Sequence, residues 1–173
     1  MFSAPCCTVL PDRRITRRRA AGKRVCRAEE QKSALTEVTI PIPGGEAGHT
    51  VEPVEVAGCY APGGRYPLPS TVLMTAITAR VAGCKVVRVA SPKPLPIILA
   101  AAYAAEAGEL IPVGGAHAIA ALAYGAGAVG ACDAVCGPGN MYVTAAKALV
   151  SGRVAIDMLA GPSECQVIAD EST

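Results

Sequence analysis

The chain has 173 residues, a formal net charge of +2 and 51% hydrophobic residues. That length suits one ordinary domain, and the composition is too apolar for disorder. Charge is unevenly spread. Residues 1–28 hold eight basic side chains against one acid, leaving eight basic and 13 acidic residues over 29–173. The body is therefore mildly acidic, which argues against a nucleic-acid partner. Five Tyr, one Phe and no Trp also leave few rings on which bases could stack.

Residues 1–28 carry Arg13, Arg14, Arg17, Arg18, Arg19, Lys23, Arg24 and Arg27, with Asp12 as the single acid. An Arg-rich, acid-poor start without a long apolar core reads as an organelle transit peptide. Val25-Cys-Arg-Ala28 is a plausible cleavage region, although Ser3 is the segment's only serine. A solvated basic tail is the other reading. Residues 29–50 read as a loop or linker, punctuated by Pro41, Pro43, Gly44, Gly45 and Gly48.

From residue 51 to 173 the pattern becomes regular. Apolar runs at 54–60, 86–90, 109–113, 133–136, 154–159 and 165–169 have strand length. Helix-length segments lie between them at 69–82, 95–107, 115–124 and 139–150. Ser70 is a candidate cap for the first helix, and Gly139 or Asn140 for the last. Strands alternating with helices predict βαβ units, hence an α/β fold with a parallel sheet. The pair 154–170 has only a short connection, so it is expected to be antiparallel.

The longest charge-free stretch, Leu110–Cys132, is 23 residues. Length alone would admit a membrane span. Five Gly and one Pro interrupt it, and no membrane partner is expected. Within it, Gly125-Ala-Gly127-Ala-Val-Gly130 matches the letters of a dinucleotide fingerprint. That fingerprint must follow a strand and open a helix. Here a predicted helix precedes it and a strand follows, so it reads as a plain connection.

Eight cysteines are present (Cys6, Cys7, Cys26, Cys59, Cys84, Cys132, Cys136 and Cys165). Their spacing predicts no disulfide framework, and buried thiols are the simple expectation. Cys132 and Cys136, placed on one strand, would sit about 13 Å apart, too far to share an ion. His49 and His117 are the only histidines. No metal site is expected, and no base is obviously placed to take a proton from an alcohol.

Four predicted strands run into Gly-rich turns that carry a polar side chain. These are Tyr60-Ala-Pro-Gly-Gly64, Gly114-Gly-Ala-His117, Gly137-Pro-Gly-Asn140 and Ala160-Gly-Pro-Ser-Glu164. In a parallel sheet all such turns gather at the carboxyl edge, where ligands meet bare helix N-termini. Tight packing turns would look the same.

The same motifs are specific. Tyr60–Met74, Ala79–Cys84, Val113–Gly125, Gly137–Lys147 and Ala155–Glu164 closely resemble the histidinol dehydrogenase family, in order and spacing, over about 53–171. The resemblance implies an incomplete Rossmann-like parallel sheet with flanking helices, truncated at both ends relative to the family. It implies oxidation of L-histidinol to L-histidine with NAD and zinc. By resemblance, Tyr60 and Asn140 contact NAD and Ser163 contacts substrate. His117 stands where the family carries Gln, so this third NAD contact has an imidazole instead of an amide. The family's zinc ligands and its Glu–His acid–base pair lie beyond Gly-Pro-Ser-Glu, so no catalytic residue or metal ligand is assigned here. The expectation is a fragment inactive by itself, weak in NAD binding and sticky in solution. The family's homodimer is not claimed for it. Alternatives are a non-catalytic nucleotide-binding or dimerising remnant, or a paralogue acting on another small alcohol. The basic start and the resemblance together point to the chloroplast, with the mitochondrion as runner-up.

Overall fold

The computed structural model describes residues 13–64 and 66–161, with side chains of the first helix described from Ala21 onward. That helix, α1, spans Arg13–Ser33 and runs unbroken across 25–28, where the leader reading places its end. Its Ala21 and Ala28 are buried, and its Lys32 Nζ donates to the Val81 carbonyl at 3.0 Å. Residues 29–50 are not the loop expected from their Pro and Gly content. They hold the end of α1 and an antiparallel hairpin, β1 (Val38–Ile42) with β2 (Gly45–His49). Pro41 is tolerated because a two-stranded ribbon leaves every second backbone N–H outside the ladder. Gly44, at φ +91°, makes the turn. Every residue of the hairpin is exposed, so no core-facing alternation marks it in the sequence.

The main sheet contains β3 (Val56–Tyr60), β4 (Val86–Ala90), β5 (Glu109–Ile111), β6 (Ala134–Cys136) and β7 (Ala155–Ile156). The connecting helices are α2 (Pro69–Ala82), α3 (Pro96–Ala104), α4 (Gly115–Tyr124) and α5 (Met141–Val150). Spatial order is β5-β4-β3-β6-β7 and all four pairings are parallel. The sheet is Rossmann-like, as expected. The chain builds outward from β3 to β5, then crosses back to place β6 on the other side of β3. A switch point therefore lies between β3 and β6.

Helix α2 starts at Pro69, whose fixed φ suits the first helical position. Ser70 is not its cap: Leu68 takes the cap position and no side chain bonds there. The helix ends on Gly83 at φ +113°, whose N–H donates to Ala79 and Arg80 carbonyls. Strands β5 and β7 are shorter than expected, because only three and two residues find ladder partners. Residues 162–173, including the expected strand 165–169, lie outside the described residues.

Period-2 alternation divides the core into two layers. Cys59, Val87 and Val89 pack with Val72, Ala76 and Ile77 of α2 and Ile98 of α3, and Ala21 of α1 joins them. Tyr60, Ala90, Ile111 and Val135 pack on the other face with Ile119 and Leu122 of α4 and Val143 of α5. The charge-free stretch resolves into the end of β5, α4 and a turn: Gly125 and Gly127 sit at φ +78° and +57°, and Ala126 and Val129 bridge each other. The Gly-x-Gly-x-x-Gly letters therefore form a helix-to-strand connection. Among the described residues no helix is long and apolar enough to cross a membrane.

Ile119 is fully buried and Leu149 is 84% exposed. Ile119→Ala is expected to cost about 2–5 kcal/mol, against about 0.5 kcal/mol or less for Leu149→Ala. Urea unfolding of the two variants checks the difference.

Candidate functional site

Tyr60 ends β3 and is 4% exposed. Its ring packs in the α4–α5 layer, and its hydroxyl accepts the Gly115 N–H at 3.1 Å. It therefore ties the end of β3 to the first residue of α4. His117 lies in that same first turn and is exposed.

Across the switch point, Gly137 follows β6 and lies against Tyr60. A Cβ at Gly137 would come within 2.1 Å of the Tyr60 carbonyl oxygen, and its φ is +118°. Only glycine fits both demands. Asn140 then caps α5: its Oδ1 accepts the Tyr142 and Val143 N–H groups, both at 3.1 Å. The exposed side chain keeps its amide NH2 as an unspent donor. Tyr60, the α4 start bearing His117, and the Gly137–Asn140 turn thus share one rim of the sheet. Ser163 lies outside the described residues.

The turn is held by two residues that sequence reasoning missed. Lys147 of α5 is 4% exposed, donates to the Gly137 carbonyl at 3.1 Å and pairs with Asp157 Oδ1. Asp157 Oδ2 accepts the Gly137 N–H at 2.8 Å, and Oδ1 accepts the Met158 N–H at 2.7 Å. Both polar groups of Gly137 are therefore occupied by one ion pair, whose lysine is buried and whose aspartate is partly exposed. Burial pushes the Asp157 carboxyl up, but hydrogen bonds from Lys147, Gly137 and Met158 outweigh it and hold it below the usual aspartate value. A lysine within an otherwise apolar helix was the available signal, since a buried cation needs a partner.

The other turns close the rim on the β4 side. Cβ atoms at Gly63 and Gly114 would meet Pro92 at 2.6 and 2.5 Å, so the turns after β3, β4 and β5 touch through Pro92. A cavity of about 230 Å³ lies between the first two, lined by Gly63, Gly64, Ser91 and Lys93. It is smaller than ordinary ligand pockets. Larger clefts, about 690 and 780 Å³, border α1. They lie away from the rim, and neither gathers the polar groups of the four turns. Among the described residues no three His, Cys, Asp or Glu side chains come together to hold a metal.

The family model for histidinol dehydrogenase matches residues 8–173. The chain belongs to the histidinol dehydrogenase family. It is 56% identical over 130 residues to the histidinol dehydrogenase of Thermus thermophilus, covering 75% of this chain and 32% of that protein. It is 46% identical over 150 residues to histidinol dehydrogenase homolog 1 of Mesorhizobium japonicum, covering 84% of this chain and 30% of that protein. The crystal structure of histidinol dehydrogenase from Elizabethkingia anophelis superposes with a TM-score of 0.77 at 35% identity, over 89% of this chain and 37% of that one. The chain spans about a third of the length of these relatives.

Asp157→Asn leaves the Lys147 charge buried without a counterion. It is expected to destabilise toward the lower end of about 3–5 kcal/mol, since Asp157 is partly exposed. Because the native carboxyl has a lowered pKa, its contribution is complete above the unfolded value and lost as pH falls through the native one. Thermal melts of wild type and Asp157→Asn should be far apart at pH 7, begin to converge below about pH 4 and meet only below the lowered native pKa.

Proposed function

We propose that this chain forms the NAD-holding part of a histidinol dehydrogenase, an enzyme that oxidises L-histidinol to L-histidine. The observation that carries this is the rim at the β3–β6 switch point, where Gly137 abuts Tyr60 and Asn140 opens α5. Family membership supports NAD as the dinucleotide that the rim would serve.

The donor set fits a dinucleotide. The N-termini of α4 and α5 both face the rim, and their partial positive charge favours phosphate. Asn140 spends its oxygen on the cap and offers its NH2 outward. Tyr60 orients the start of α4 through Gly115, and on that turn His117 offers an imidazole. Tyr60 supports the start of α4 by accepting from Gly115, and its own O–H remains to donate toward NAD as the proposed contact. When bound, NAD would accept the hydride. Ser163, on the neighbouring turn in sequence, is the proposed substrate contact.

The described residues do not fit zinc, and no step is routed through a metal. Zinc binding and proton transfer, which the family assignment implies, would require groups outside the described residues. By itself the chain is proposed to bind NAD weakly and to turn over no histidinol. A paralogue oxidising another small alcohol is the second reading, favoured by the 46% identity to a protein named as a homolog.

Calorimetry with NAD⁺ tests the proposal. Asn140→Asp keeps the cap, because Asp caps as well as Asn, but replaces the NH2 donor by a negative charge. It is expected to weaken binding at least about tenfold, the size of a lost charge-assisted contact, with an unchanged melting temperature. No heat at millimolar NAD⁺, or equal binding by Asn140→Asp, would contradict the assignment.

A further inference from the structure

Cys59 and Cys136 are register partners on the adjacent parallel strands β3 and β6. Both side chains point into the α2–α3 layer, and their sulfur atoms are 3.7 Å apart. We propose that these two thiols form a reversible oxidative modification site, closed to a disulfide by a hydroperoxide and reopened by a dithiol reductant.

The backbone already has suitable spacing. Neighbouring strands lie about 4.7–4.9 Å apart, inside the usual Cα separation of about 4.4–6.8 Å for a disulfide. Only the sulfurs must close, to about 2.05 Å. Cys59 is 1% exposed, whereas Cys136 is partly exposed and is the point of entry for a small oxidant. The two thiols share one S–H···S contact, which favours the Cys136 thiolate against the opposing effect of burial. That hydrogen bond and burial together raise Cys59. Cys136, the thiol that a small oxidant can reach, is therefore the attacking sulfur and the enclosed Cys59 the resolving one.

Two electrons leave the sulfurs. The Cys136 thiolate attacks one peroxide oxygen, the O–O bond breaks, and the departing oxygen takes a proton. Cys136 becomes a sulfenic acid. Cys59 sulfur then attacks Cys136 sulfur, the S–O bond breaks, and the hydroxyl leaves as water with the Cys59 proton. Two thiols and one hydroperoxide give one disulfide, one alcohol (water, for hydrogen peroxide) and one water. Tyr60 and Gly137 are the next residues on each strand, so the bridge sits directly beneath the rim. The dithiol itself stands without the nucleotide assignment.

The reduced chain, treated with one equivalent of hydrogen peroxide, is expected to lose about 2 Da as one disulfide forms. Peptide mapping with combined cleavage after Lys and Arg and before Asp133 isolates Cys59 on 33–65 and Cys136 on 133–147, and should place the link between these two peptides. Cys136→Ser should abolish the loss, and Cys132→Ser should retain it. Because variants at Cys59 alter the core, a second measurement uses the unaltered chain. One equivalent of phenylarsine oxide, which condenses with two thiols and releases water, should add at this pair and block the peroxide reaction. A link between other cysteines, Cys136 oxidised to sulfinic acid without a link, or an arsenical adduct elsewhere would each overturn the proposal.

Discussion

One glycine peptide organises the candidate site. Gly137 sits so close to Tyr60 that no side chain fits, and at a φ that disfavours one. Its N–H is taken by Asp157 and its C=O by Lys147. Lys147 comes from the last turn of α5 and Asp157 from just past β7, so a single ion pair locks three successive elements around the turn. An ion pair with one buried member gives little net stability relative to an apolar replacement. What it supplies is geometry: the turn has one conformation, and Asn140 leaves it at a fixed place.

The strand order then decides where that turn matters. Had β6 added beyond β5, the Gly137 turn would lie at a sheet edge far from Tyr60. Because the chain crosses back through α4, the turns after β3 and β6 diverge from a common point. Tyr60 completes the frame by holding α4 through Gly115, so the same ring that fills the core sets the rim. Cys59 and Cys136 follow from the same pairing, one residue below.

Much of this was legible in the residues. Helices at 69–82 and 115–124 match their expected bounds, because Pro69 and Gly83 punctuate one and Gly114 and Gly125 the other. The glycine turns were legible because each needs a backbone that other residues resist. The hairpin at 38–49 was not, since all its side chains are exposed and carry no period. Helix α1 was hidden because its basic residues mask the alanines that pack. The Lys147–Asp157 pair and the register of Cys59 on Cys136 depend on which strands become neighbours, and local patterns do not encode that. Ser70 shows the reverse error: a good capping residue next to a proline that starts the helix earlier.

A dinucleotide lying along the β3–β6 rim should be visible in the amide shifts of the ¹⁵N-labelled chain on titration with NAD⁺. The expected shifts group at Tyr60, Gly115–His117 and Gly137–Met141. Shifts confined to the clefts beside α1, with those rim amides unmoved, would contradict that placement.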